Sequence, residues 1–286
     1  MEDSTSINQA AHTFTARRTE MYRSTDTCAP TPLLQQLSLR LLALPQLSKL
    51  ELAIIKTKRQ QDTFSSLFHH HSLTLPNILT LTLGPGLQWL IPHCPNVRTI
   101  TSDPYSRHSS LPGAPSGSNW HLDLVHAAGS AKHLHHLEVD DRMSAPLLLR
   151  HITTSVPHIG SVGTFSGRWE NGIDRLFPLL KQLRELRTLA LADVADLHVG
   201  YEPPRCGNVF LGPGGDEYRQ QLEEEKGRAV RYVGRKVFER LEGLEECWVG
   251  NWDRAVVRRG KEGSVMDVAW ERGWRFGVVH KSRFGG

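Results

Sequence analysis

A chain of 286 residues that is 39% hydrophobic and 22% charged has the composition of an ordinary globular protein and the length for a sizeable core. It holds no run of about 18 apolar residues, which excludes a membrane-spanning helix of the usual kind. Its start, MEDSTSINQAAH, lacks the charged and apolar regions of a secretory signal. The net charge of +4 is uneven: residues 226–286 carry 14 Lys/Arg against 8 Asp/Glu, a basic quarter that can attract an acidic partner or nucleic acid.

In chain order, residues 1–30 are polar and without periodicity, and a disordered segment is expected there. A single domain is expected over 31–286. The run Leu33–Leu44 places Leu34, Leu37, Leu41 and Leu44 at helical spacing. A repeated unit follows, in which apolar residues at three positions precede or sit on a short strand. The units are Leu47, Leu50 and Leu52; Ile78, Leu81 and Leu83; Val97 and Ile100; Leu134, Leu137 and Val139; Ile159, Val162 and Thr164; Leu186, Leu189 and Leu191; and Leu244, Cys247 and Val249. Several of the intervals between them fall near the roughly 20–29 residues of a leucine-rich repeat.

The last two positions of each unit alternate, so they share one side of a strand. Between the units lie helical candidates: Gly86–Cys94, Trp120–Leu134, Met143–Val156, Arg175–Leu183 and Asp216–Leu241. Strand, turn and helix in repetition predict parallel strands with helices on one side, an α/β architecture. Two Ser/Pro/Gly-rich insertions, Ser102–Asn119 and Gly200–Glu217, are expected to leave the same edge of the array. From about 251 the pattern changes. Arg254–Arg259 and Ser264–Glu271 flank Gly260–Gly263 and predict a β-hairpin that caps the array.

The Pro-x-Leu-x-x-Leu-x-Leu units, their irregular lengths and the ending LEECWVG resemble the leucine-rich-repeat-like C-terminal regions of fungal F-box-type proteins, over roughly 45–250. The resemblance implies an irregular solenoid with strands on its inner face and helices on its outer face. It also implies a non-catalytic role: recognising substrates for a ubiquitin ligase. The family's F-box helices, which dock the ligase core, have no counterpart in residues 1–30. Contact with ligase-core subunits then requires an F-box supplied upstream.

Several residues invite chemistry. His69–His71 and His133, His135 and His136 are dense, but His135 and His136 face opposite sides of a strand and share a metal poorly. Gly212–Gly215 before a helix lacks the spacing and lysine of a phosphate cradle, and Asp216 is expected to cap that helix. Cys94 and Ser161 lack the motif of an activated nucleophile. No enzyme, cofactor or metal is therefore expected. The four scattered cysteines, without a CxxC pair, suit a reducing compartment, cytoplasm or nucleus. Arg258, Arg259, Lys261, Arg272, Arg275, Lys281 and Arg283, interleaved with Trp270, Trp274 and Phe276, offer an alternative function in single-stranded nucleic-acid binding.

The polar face of the strands remains. It should present Lys49, Glu51, Thr80, Thr82, Thr99, Thr101, His136, Glu138, Ser161, Phe165, Thr188, Glu246 and Trp248. Within it Thr82, Thr101, Glu138, Phe165 and Trp248 are the expected contacts for a protein partner, with Phe165 and Trp248 as aromatic anchors. A register slip of one residue would bury both rings instead.

Overall fold

The computed structural model describes residues 13–16, 41, 43–52, 58–103, 119–139, 145–164, 172–204, 210–260 and 265–272. Its internal contacts divide the chain into two compact units: Met1–Asp140 with Thr154–Val156, and Asp141–Thr153 with Pro157–Gly286. Within each unit, strands adjacent in the chain are adjacent in the sheet.

In the first unit β1 (Thr13–Ala16), β2 (Lys49–Leu52), β3 (Thr80–Leu83), β4 (Thr99–Ser102) and β5 (His136–Val139) pair in that order, every pair parallel. Thr13–Ala16 form a strand; the rest of 1–30, where a disordered segment was expected, lies outside the described residues. The helix expected over Leu33–Leu44 lies outside the described residues except Leu41, which is helical and buried, and 43–44 beyond its end.

The register aligns the repeated positions. Leu50 stands opposite Leu81, Leu81 opposite Ile100, and Ile100 opposite Leu137. All four are fully buried, each contributing about 1.5–3 kcal/mol by leaving water. On their side lie α1 (Lys58–His70), a 3-10 helix (Gln88–His93) and α2 (Trp120–Ala128). Phe64, Phe68 and Trp89 meet there edge to face, at centroid distances of 5.2–5.5 Å.

In the second unit β6 (Ser161–Thr164), β7 (Thr188–Leu191) and β8 (Glu246–Val249) are parallel, with Val162, Leu189 and Cys247 in one buried row. β9 (Asp253–Arg259) and β10 (Val265–Arg272) then add antiparallel, the expected hairpin. Within each unit the mixed α/β sheet is open, its strands ordered as in the chain.

The repeat is backbone-deep. Leu47, Ile78, Val97, Leu134, Leu186 and Leu244 each donate their N–H to the carbonyl three residues earlier. The carbonyls of Ser48, Leu79, Arg98, Gly160 and Arg187 each accept two consecutive N–H groups from the next unit. Side chains reinforce this. Asn77 donates to the Pro45 carbonyl at 2.7 Å and Asn96 to the Pro76 carbonyl at 2.9 Å. His158 and Glu185, at the same repeat position, meet at 3.1 Å in the second unit. The Pro-Asn starts therefore bind one unit to its predecessor.

Helix bounds differ from expectation for local reasons. α2 stops at Ala128, where Gly129 and Ser130 turn back on the last carbonyls. α3 (Ala145–Ser155) buries Leu148, Leu149 and Ile152, while Leu147 is half-exposed. The segment expected to be helical over Arg175–Leu183 breaks into a 3-10 turn (Ile173–Arg175) and the four-residue α4 (Phe177–Leu180), with Pro178 confined to its first turn. α1 is absent from the helical candidates named above. Its buried side chains, Phe64 and Phe68, are one turn apart and too few to give a periodic signal.

α1 closes with a Schellman turn: Leu73 N–H donates to Phe68 and Ser72 N–H to His69. Ser72 takes the left-handed conformation, φ 48°, usual for glycine. The long helix α5 (Gly215–Arg240) carries Asp216 and Glu217 in its first turn and Arg240 in its last, as its dipole favours. Gly214, not Asp216, is its N-cap, and Asp216 pairs with Arg219 at 3.0 Å.

Candidate partner-binding surface

Alternation along β2–β5 puts on the polar face every second residue that the core does not take. Parallel pairing then turns these into rows. Lys49, Thr80, Thr99 and His136 form one; Glu51, Thr82, Thr101 and Glu138 form the other. Adjacent members stand about 4.8 Å apart across the sheet. Thr80, Thr82, Thr99 and Thr101 are half-buried, each with a hydroxyl that can donate and accept.

Thr82 and Thr101 are thus brought together, and Glu138 stands beside Thr101. Glu138 is nevertheless buried, its side chain 6% exposed, and its Oε2 lies 3.1 Å from His136 Nε2. Glu51, at the other end of the row, is buried too. The accessible part of this row is the threonine pair. Glu138 is a supporting residue rather than the open contact expected of it.

Trp248 belongs to the second unit, on the polar face of β8 opposite Ala190 and Arg254. The indole is half-exposed, so the register slip that would have buried it does not occur. Its Nε1–H donates to Glu246 Oε1. Arg254 reaches Glu246 with two bonds of 3.0 Å, donates to Glu271 Oε2 at 2.7 Å, and lies 5.9 Å from the indole centroid. Hydrogen bonds to Glu246 and then Glu271 raise the affinity of this guanidinium for its proton. The ring is consequently held from two sides, which lowers the entropy lost when a partner covers it. Neither Arg254 nor Glu271 was singled out in the sequence; their alternation along the hairpin was the available signal. Phe165 lies outside the described residues.

The basic hairpin is partly committed to structure. Arg259 Nη2 donates to the carbonyls of Phe238, Leu241 and Leu244 at 3.2, 2.9 and 3.2 Å, closing the end of α5. Trp270 lies against Gly234 of α5. Arg258 and Arg272 are exposed. Lys261, Trp274, Arg275, Phe276, Lys281 and Arg283 lie outside the described residues, as do 104–118 and 205–209 of the two insertions.

The other residues that invited chemistry are placed as follows. Burial pushes the Cys94 thiol up to about 12, the opposite of what a nucleophile needs. His93 lies 4.9 Å from His69, centroid to centroid, and its Nδ1 bonds the Leu73 carbonyl at 2.7 Å. His135 is exposed and precedes β5 rather than lying on it, while His136 lies on the polar face. Among the described residues no helix is long and apolar enough to cross a membrane. No known family's sequence pattern matches the chain, and no curated protein matches it.

Proposed function

We propose that the protein is a non-catalytic interaction scaffold, an irregular leucine-rich-repeat-like solenoid whose polar strand face holds a protein partner. The observation that carries this is the in-register pair of polar rows on β2–β5, with threonine hydroxyls at their centre. Rigid strands present these side chains without the ordering cost of a loop. The locked Trp248 supplies a hot-spot residue of the favoured type on the second unit. The resemblance to F-box-type proteins extends the proposal: the partner is a ubiquitination substrate, and ligase-core subunits join through an F-box supplied upstream.

Crosslinked affinity purification tests both parts, comparing the natural chain with Thr82→Lys/Thr101→Lys and with Trp248→Ala. The expected result is a discrete partner whose recovery falls in the variants. Recovery unchanged in both variants refutes the sheet-face reading. A partner recovered without ligase-core subunits removes the adaptor role alone.

A further inference from the structure

A groove of about 430 Å³ runs between the loop after β7 and the outer face of α5, lined by Val199, Gly200, Tyr201, Glu225, Arg228, Ala229 and Tyr232. The four helical residues are spaced three, one and three apart, so they form one stripe along α5. Gly200 takes φ +86°, which lets the loop turn beside the helix without a side chain filling the space. Ala229 is the floor.

Two aromatic rings bracket the groove. Tyr232 is 53% exposed, yet its hydroxyl accepts from Lys236 at 3.1 Å, and Lys236 is fixed to Asp174 at 2.7 Å. The ring is held in place while its surface stays open. Tyr201, at the other end, sits beside the Lys226–Asp193 pair, which closes at 2.8 Å.

The charges divide along the same line. Glu223 and Glu225 act on Tyr201, making that end acidic. Beyond it α5 exposes Arg228, Arg231, Arg235 and Arg240, none of which makes an ion pair or hydrogen bond to another described residue. Lys226 and Lys236, the two cations nearest them in sequence, are each already neutralised by an aspartate. The helix dipole accounts for cations in the last turn but not for Arg228 and Arg231, two to three turns earlier.

We propose that this groove binds an acidic peptide segment of a partner protein, with Arg228 taking a carboxylate through its two-pronged guanidinium and Tyr201 and Tyr232 packing the apolar stems on either side. Arginine binds planar carboxylates through paired hydrogen bonds, and tyrosine with arginine is the pairing that recurs in binding hot spots. Glu225 fixes polarity by repelling acidic side chains from the Tyr201 end. This surface is separate from the strand face and stands or falls independently of it.

A phage-displayed random dodecapeptide library, selected on the immobilised full chain, supplies the probes. Enriched peptides are then labelled and titrated by fluorescence polarisation. The expected outcome is enrichment of Asp/Glu-rich sequences. Their affinity should fall about tenfold or more in Arg228→Glu and measurably in the charge-neutral Tyr232→Ala. It should stay within about twofold in Lys181→Glu, an equal charge change outside the groove. Circular dichroism confirms that each variant is folded. No acidic enrichment, or an equal loss in Lys181→Glu, overturns the proposal. A single-stranded oligothymidylate binding as tightly, with the same Arg228 dependence, overturns it in favour of a general polyanion site.

Discussion

Two glycines seven residues apart on α5 should respond oppositely to the same substitution. At Gly234 an added Cβ would stand 2.5 Å from Cη2 and 2.6 Å from Cζ2 of Trp270, and 3.7 Å from the Ala255 methyl. Real Cβ contacts are not that short, so the Trp270 ring or the hairpin must move. At Gly227 the nearest atom is the Arg231 guanidinium at 3.4 Å, the far end of a side chain that swings away freely. Alanine gains about 0.8–1 kcal/mol over glycine in a helix interior, and this alone should appear in Gly227→Ala. In Gly234→Ala the same gain is set against overpacking of about 1–3 kcal/mol. The two variants should therefore differ by about 1–3 kcal/mol, with Gly234→Ala the less stable. Urea unfolding followed by tryptophan fluorescence measures this. Trp270→Leu in the Gly234→Ala background should restore part of the loss, because the clash partner has gone. If Gly234→Ala stabilises as much as Gly227→Ala, the hairpin does not rest on α5 as described.

Other outcomes follow from single contacts. Ser72→Gly should stabilise by about 0.5–1 kcal/mol, and Ser72→Val should destabilise, because φ 48° suits only the residue without a Cβ; thermal unfolding reads both. Arg259→Ala removes the guanidinium donor from three carbonyls at and just beyond the end of α5, of which Leu241 keeps the Leu244 N–H, and should cost about 1.5–3 kcal/mol in urea, with Arg259→Lys recovering part. Burial, with Asp193 and Glu223 adding repulsion, raises the Asp253 carboxyl above its ordinary range, although Arg272 and Lys226 pull it down. A raised carboxyl favours the folded state when protonated, so its ionised form costs stability at neutral pH. Asp253→Asn should be the more stable protein at pH 7, and its advantage should shrink as pH falls through the folded carboxyl's range. A constant advantage from pH 7 to pH 3 would show that the substitution acts through something other than charge.

Much of the architecture was legible because the signal was periodic. Leu50, Leu81, Ile100, Leu137, Leu189 and Cys247 are each the central apolar residue of a repeated unit, and each is fully or almost fully buried on a strand. Alternation is a property of the extended backbone itself, so it survives in sequence regardless of neighbours. The hairpin was legible for the same reason, and α5 because Val230, Val233 and Val237 kept helical spacing over several turns. α1 was hidden: its face is two phenylalanines whose third partner, Trp89, comes from another element.

The polar face divides differently. Strand alternation led to the expectation that Thr82, Thr101, Glu138 and Trp248 point away from the core, with a one-residue slip left open for Trp248; the strand pairing decided between the two. Which of them stay open was decided by packing: Glu138 lies buried against His136, while Trp248 is pinned by Glu246 and Arg254 from a neighbouring strand. Likewise the sequence set the basic charge near the C-terminus, but the tertiary structure assigned Arg259 to a helix end and left Arg228 open in a groove. Charge and apolar period are local to the chain. Exposure and pairing depend on which distant residue arrives alongside, and no local pattern encodes that.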